Sequence, residues 1–202
     1  SLVKGLEVSP DASFLISLGD QVDAVHKCEQ FEAFFFPDIL KSLTLAAVVG
    51  NHELGCEYSE HFIMPNLSEF GVSADIGNGS GDYWYIYNNV LFMALNSNNC
   101  NVKEHCQFMT GTMSAHPFVR WNVVLMHHSP YCAAHAWQTC IRLRNELAPV
   151  FSELKIDVVL SAHDHAYLRT YMMDSTKPII TDNGMEDTEI INPDERQVLY
   201  IF

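Results

Sequence analysis

Val48-Val49-Gly50-Asn51-His52-Glu53 is an apolar, β-branched run that stops at a glycine and passes at once into an amide, an imidazole and a carboxylate. The run reads as a buried strand, and the side chains that follow suit a metal ion or a phosphate oxygen. In α/β folds the carboxyl ends of the strands are where ligands bind. The glycine is expected to let the chain turn tightly out of the strand. One such stretch carries little weight alone, so the question is whether other strands end the same way.

Three others do. Residues 13–18 form an apolar run broken by Gly19-Asp20-Gln21-Val22-Asp23, residues 121–126 empty into His127-His128-Ser129-Pro130-Tyr131, and residues 157–161 lead into Ala162-His163-Asp164-His165. Residues 29–36 have helical character and stop before Pro37, so the chain opens as strand, helix, strand, the unit that builds parallel sheets. Residues 82–87 and 90–95, joined at Asn88-Asn89, predict an antiparallel hairpin and hence a mixed sheet. Helices are expected over 104–113 and 141–154, and a last strand over 198–202. Residues 55–81, rich in Gly, Asn, Ser and Pro, read as a long surface excursion, and residues 174–194 as polar and turn-rich.

Parallel strands share one carboxyl edge, so the four polar ends can meet in space. Imidazole, amide and carboxylate together make a mixed nitrogen and oxygen set that suits Zn, Mn, Fe or Co better than Ca or a thiolate-bound metal. A carboxylate is needed to bridge two cations, and Asp20 is the natural candidate. Two metals a few ångströms apart can clamp a phosphoryl group and activate a hydroxide for in-line attack.

Composition narrows the class. The 202 residues suit one domain with a sizeable core, and 48% apolar with 18% charged residues describes a globular chain. A net charge of −14 argues against a nucleic-acid binder, although a bound dication can still present an anionic substrate with a positive field. No apolar run has the length of a membrane span. The start Ser1-Leu2-Val3-Lys4 is not a signal peptide and the end falls inside a strand, so both ends are expected to be cut. Of the six cysteines none forms a C-x-x-C pair; Cys100 with Cys106, and Cys132 with Cys140, stand at spacings that could close disulfides, while free thiols in a reducing cell fit the count equally.

The ordered set GDQVD, GNHE, VVLMHHSPY and AHDHAY resembles the calcineurin-like metallophosphoesterases, within them the bacterial branch related to purple acid phosphatases. The likeness covers nearly the whole chain. It implies an α/β fold, a four-layer α/β/β/α metallophosphatase sandwich of two mixed sheets, with residues 1–202 as one catalytic domain truncated at the N-terminus and the C-terminus. It implies a metal-dependent hydrolase of phosphate monoesters working through a dinuclear site and a metal-bound hydroxide. Carried over by position, Asp20 bridges two metal ions (Fe, Mn or Zn), Asn51, His127 and His163 bind the second, and His165 binds the first. His52 contacts the phosphate and protonates the leaving oxygen. His135, eight residues past His127, matches a substrate-contacting histidine across a loop of variable length.

Between His127 and His128, the direct exit from the strand and a tyrosine four residues on, Tyr131, select His127; a His-x-Pro pattern would select His128. Two departures stand out. The family's first motif, an aspartate ligand at the end of an earlier strand, has no counterpart before Ser13. Asp23 also occupies the position where purple enzymes carry the tyrosine that gives their colour, so no purple chromophore is expected. The resemblance further implies export to the cell surface or beyond, which favours disulfides, and a small phosphate ester as partner. Two rivals remain: a phosphodiesterase for nucleotides or lipid head groups, and a non-catalytic binding module on a degenerate metal site. His26, His61, His105 and His116 read as ordinary satisfied or exposed histidines, His128 and Asp164 as supports of ligands, and Glu53 as a partner of His52 or a turn cap.

Overall fold

The computed structural model describes residues 2–55, 58–73, 80–133, 138–180 and 196–202. Helix α1 (Leu2–Val8) is followed by β1 (Phe14–Ser17), α2 (Cys28–Phe35), a 3₁₀ turn at Asp38–Lys41, and β2 (Thr44–Ala47). β1 and β2 pair in parallel, Phe14 against Thr44 through Ser17 against Ala47. After the single-turn α3 (Tyr58–His61), β3 (Tyr83–Tyr87) and β4 (Val90–Leu95) form the antiparallel hairpin that Asn88-Asn89 predicts. Both asparagines adopt positive φ, 46° and 62°, which short polar side chains tolerate.

Helix α4 (Val102–Ala115) leads to β5 (Trp121–His128), then α5 (Gln138–Glu146), α6 (Ala148–Glu153), β6 (Val158–Ala162), β7 (Met172–Asp174), β8 (Lys177–Ile179) and β9 (Leu199–Ile201). β3-β4-β5-β6-β9 make a five-stranded mixed sheet in which only the β3–β4 pairing is antiparallel. The single amphipathic helix expected over 141–154 is two helices. Pro149 falls in the first turn of α6, where its missing N–H costs nothing but cannot continue α5.

Strand alternation sorts the core into layers. Leu91, Met93 and Leu95 of β4, Val124 and Met126 of β5 and Val159 of β6 pack with Phe108, Met109, Leu143, Leu147 and Phe151 of the helical side. The residues between them, Ala94, Val123 and Leu125, face Val48, Ile16 and Leu18 of the smaller sheet. That smaller sheet is covered in turn by Phe31, Tyr58 and Phe62. Helices, sheet, sheet, helices is the α/β/β/α sandwich expected from the sequence. The smaller sheet shows only its parallel pair among the described residues. Tyr58 and Phe62 also correct the reading of 55–81 as surface, since both are buried in the core.

Asp82 and His105 form a buried ion pair, Nδ1 to Oδ2 at 2.7 Å, with side chains 0% and 1% exposed. His105 Nε2 lies 2.9 Å from the Asn99 carbonyl, so both ring nitrogens meet acceptors and the imidazolium is the form that satisfies both. Burial alone would lower the His105 pKa; the bond to Asp82 reverses this and raises it. This histidine is satisfied at both ring nitrogens, and it is no bystander to the fold.

Among the described residues no helix is long and apolar enough to cross a membrane. Cys132 and Cys140 are joined, whereas Cys100 and Cys106 are free, against the expectation that they could pair; Cys56 lies outside the described residues. His105→Ala should cost about 3–5 kcal/mol in urea unfolding at neutral pH, because it strands a buried carboxylate. The stabilisation that a raised histidine pKa contributes is complete below its ordinary 6.5 and fades as pH rises through the folded value, so the parent's advantage should shrink in alkali.

Candidate metal centre

The ends of β1, β2, β5 and β6 meet at one edge between the two sheets. His127 shares the face of Val123 and Leu125 and is 1% exposed. Its Nδ1 is 2.8 Å from the Leu18 carbonyl, which fixes the hydrogen there and leaves a lone pair on Nε2. That Nε2 stands 3.0 Å from Asn51 Oδ1, 3.1 Å from His163 Nδ1 and 3.2 Å from Asp20 Oδ2. Two imidazoles, an amide oxygen and a carboxylate gathered this closely make a mixed nitrogen and oxygen set that a borderline metal ion fits.

The backbone is bent to this purpose. Asp20, His163 and His165 adopt positive φ of 54°, 71° and 51°, a region that residues with a Cβ rarely enter and that recurs at functional sites. Gly19, at φ 100°, is packed so tightly that a Cβ would strike His127 Nδ1 and come within 2.8 Å of the Gly50 Cα. Gly50 itself is not in the left-handed region. It is required by closeness, because a Cβ there would collide with Asp20 N and Oδ1 and approach Glu53 Oε2 to 2.7 Å. The chain turns at His52 and Glu53 directly after Gly50, and the close approach of the two loops is what leaves no room for a side chain there.

Glu53, fully buried, holds those loops together. Its Oε2 accepts the N–H groups of Gly50 at 2.7 Å and Asp20 at 2.8 Å, and its Oε1 accepts that of Val22 at 3.0 Å. It does not orient His52, one of the two roles read from the sequence. Burial pushes the Glu53 carboxyl up from its ordinary value while the three N–H groups pull it back. His52 is held instead by Asp23, whose carbonyl lies 2.9 Å from Nδ1 and whose carboxylate is 3.7 Å away. The carbonyl bond is the chief cause of a raised His52 pKa, aided by Asp20 and the Asp23 carboxylate and opposed by desolvation. Nδ1 being so engaged, Nε2 is the nitrogen left to face a ligand.

Burial works against an ionised Asp20, but His127 and the His52 N–H outweigh it and bring the carboxyl down to about 2. Whatever stability this lends is present above 3.8 and lost as pH falls through about 2. His128 lies beside them, its ring 4.9 Å from that of His127 and 4.6 Å from that of His163, while Ser97 Oγ accepts its backbone N–H at 3.0 Å and meets Nδ1 at 2.8 Å. Burial, with His127 and His163 beside it, drives His128 down to about 3, and the same two kinds of cause, burial and the neighbour His127, lower His163. Even so, one nitrogen each from His127, His128 and His163 lie within 4.8 Å of one another, so His128 stands close behind the convergent set.

Of the residues chosen from sequence, Asp20, Asn51, His127 and His163 come together at hydrogen-bond distance, and the His52 N–H reaches Asp20 Oδ1 at 3.2 Å. His165 is exposed, and His135 lies outside the described residues. The Leu18 and Asp23 carbonyls are invisible to side-chain reading, whereas a glutamate two residues after an apparent ligand, as Glu53 is, could have been suspected as a loop tie. A cavity of about 540 Å³, lined by Phe14, Leu45, Phe62 and Tyr85 among others, lies at the opposite ends of β1 and β2, away from the clustered histidines.

This fold and this donor set describe an α/β/β/α domain with a candidate metal centre. A sequence model described as calcineurin-like phosphoesterase matches residues 1–167, and the chain belongs to that family. The fold is also that of a purple acid phosphatase from yellow lupin (Lupinus luteus) seeds, at TM-score 0.66 and 15% identity, covering 97% of this chain and 37% of that one. GAP50, the anchor in the inner membrane complex of Plasmodium, aligns at 0.53 and 12% identity over 98% of this chain and 64% of its own. The Haemophilus influenzae NAD nucleotidase aligns at 0.50 and 14% over 98% and 42%. The chain thus spans between 37% and 64% of the length of these structures. No curated protein matches it.

Replacing the Glu53 carboxylate by an amide puts an N–H₂ against a backbone donor whichever way it turns. Glu53→Gln should lose about 1–3 kcal/mol in urea unfolding and weaken Mn²⁺ binding; an unchanged midpoint and affinity would remove Glu53 from its place as the tie.

Proposed function

We propose that residues 1–202 serve as one catalytic domain that hydrolyses phosphate monoesters at a dinuclear centre built on the edge between the sheets. The observation that carries this reading is the facing of His127 Nε2 with Asn51, His163 and Asp20 at 3.0–3.2 Å. Asp20 with Asn51, His127 and His163 would hold one ion of Fe, Mn or Zn type, and Asp20 with His165 would hold another. Ions held there supply the positive charge that polarises the phosphoryl group and acidifies the attacking water. His127 is preferred to His128 as ligand because its Nε2 stands 3.0 Å from Asn51 Oδ1 and 3.2 Å from Asp20 Oδ2.

His52 acts as general acid. Its ring is fixed at Nδ1 by Asp23, so Nε2 can carry the proton to the departing oxygen. His135 is assigned to substrate contact. The first-metal set on this chain, Asp20 with His165, has fewer ligands than the second, so the first ion should bind more weakly. A bond between Cys132 and Cys140 supports an extracellular or cell-surface setting, where disulfides persist. The substrate is a small phosphate ester, with no nucleic-acid partner.

One rival draws on GAP50, which shares the fold and is described as an anchor: a binding module whose metal set has decayed. Metal analysis and turnover of an aryl phosphate monoester and the matching diester, measured on the full chain with Mn²⁺, separate the readings. Two ions per chain, preference for the monoester, and a loss in Asp20→Ala beyond the ~10–100-fold typical of an outer partner are expected. A large preference for the diester would transfer the assignment to a phosphodiesterase, and activity unaffected by Asp20→Ala would leave the anchor.

A further inference from the structure

Asn98, on the loop after β4, reaches across to the loop that carries Asn51. Its Nδ2 donates to the Gly50 carbonyl at 3.1 Å, over a sequence distance of 48 residues. That carbonyl belongs to the Gly50–Asn51 peptide, while the Gly50 N–H is already taken by Glu53. A glycine rotates more freely about its backbone than any other residue, so the plane of the following peptide would otherwise be poorly fixed. Pinned at its oxygen, the peptide sets the direction in which Asn51 leaves the backbone.

The pin is itself anchored. Both the Nδ2 and the backbone N–H of Asn98 donate to Asn96 Oδ1, at 3.0 and 3.2 Å. The Asn96 amide donates to the carbonyls of Gly71 (2.9 Å) and Ser80 (2.7 Å), and its backbone N–H to Asp82 Oδ1 at 2.9 Å. The other Asp82 oxygen is the one bonded to His105. Asn96, Asp82 and His105 are all essentially buried, so the chain of bonds runs from the rigid interior to the edge of the site. A fully satisfied polar network of this sort has one arrangement.

We infer that Asn98 is a positioning residue: by holding the Gly50 carbonyl it aims Asn51 Oδ1 at His127 Nε2 and so tunes the affinity of the metal that Asn51 binds. The inference rests on the reading of Asn51 as a ligand given above. Outer partners of this kind are worth about 10–100-fold in metal affinity.

The test is a calorimetric Mn²⁺ titration of the full chain in four forms: parent, Asn98→Ala, Asn98→Asp and Asn51→Ala. Asn98→Asp keeps the size but turns the donor into an acceptor facing a carbonyl, and it carries the experiment if Asn98→Ala does not fold. About tenfold weaker Mn²⁺ binding is expected in both Asn98 variants, with a smaller rise in melting temperature on adding Mn²⁺ and little change in the metal-free melting temperature. A fall in the metal-free value with the Mn²⁺ increment intact marks a merely structural residue and overturns the inference. Affinity within twofold of the parent in the Asn98 variants, alongside weakened binding in Asn51→Ala, also overturns it and leaves the site reading standing. If Asn51→Ala binds Mn²⁺ like the parent, the ligand assignment falls and the inference with it.

Discussion

The carboxylate of Glu53 bears the approach on which the site depends. By accepting the N–H groups of Gly50, Asp20 and Val22 it draws the loop after β1 onto the loop after β2, and two glycines, Gly19 and Gly50, make room for the contact. Without that tie the Asp20 carboxylate and the Asn51 amide have no reason to lie within reach of one imidazole. A carboxylate suits the task because it only accepts, and three backbone donors arriving from two directions leave no place for a donor.

The sheets supply what the tie cannot. β5 and β6 run in parallel and end beside β1 and β2, so His127 and His163 arrive from the larger sheet while Asp20 and Asn51 arrive from the smaller. The sandwich is therefore the device that brings nitrogen and oxygen donors together, one layer contributing each. Such a centre keeps its shape only while the interface of Val48, Ala94, Val123 and Leu125 stays packed. In this protein the core between the sheets is the support of the site.

Much of this could be read before any coordinates. The apolar runs leading to Asp20, Asn51, His127 and His163 were strong because strand burial writes itself into composition, and each ended in a residue type with a narrow range of uses. Harder to read were the break at Pro149, the burial of Tyr58 and Phe62 within a polar-looking segment, and the web through Asp82, Asn96 and Asn98. These depend on contacts between distant residues, and carboxylates and amides in the interior look in a sequence like any others on the surface. The roles of the Leu18 and Asp23 carbonyls could not be read at all, since a peptide oxygen has no letter.

The two adjacent histidines of β5 both reach the centre: their rings lie 4.9 Å apart, and that of His128 is 4.6 Å from that of His163. The pairing of β5 with β6 shifts register between Leu125 and His128, so strict alternation stops where the strand enters the site. A regular strand sends neighbouring side chains to opposite faces. The irregular end of β5 brings two imidazoles to one place instead, and a doubled letter becomes a single cluster.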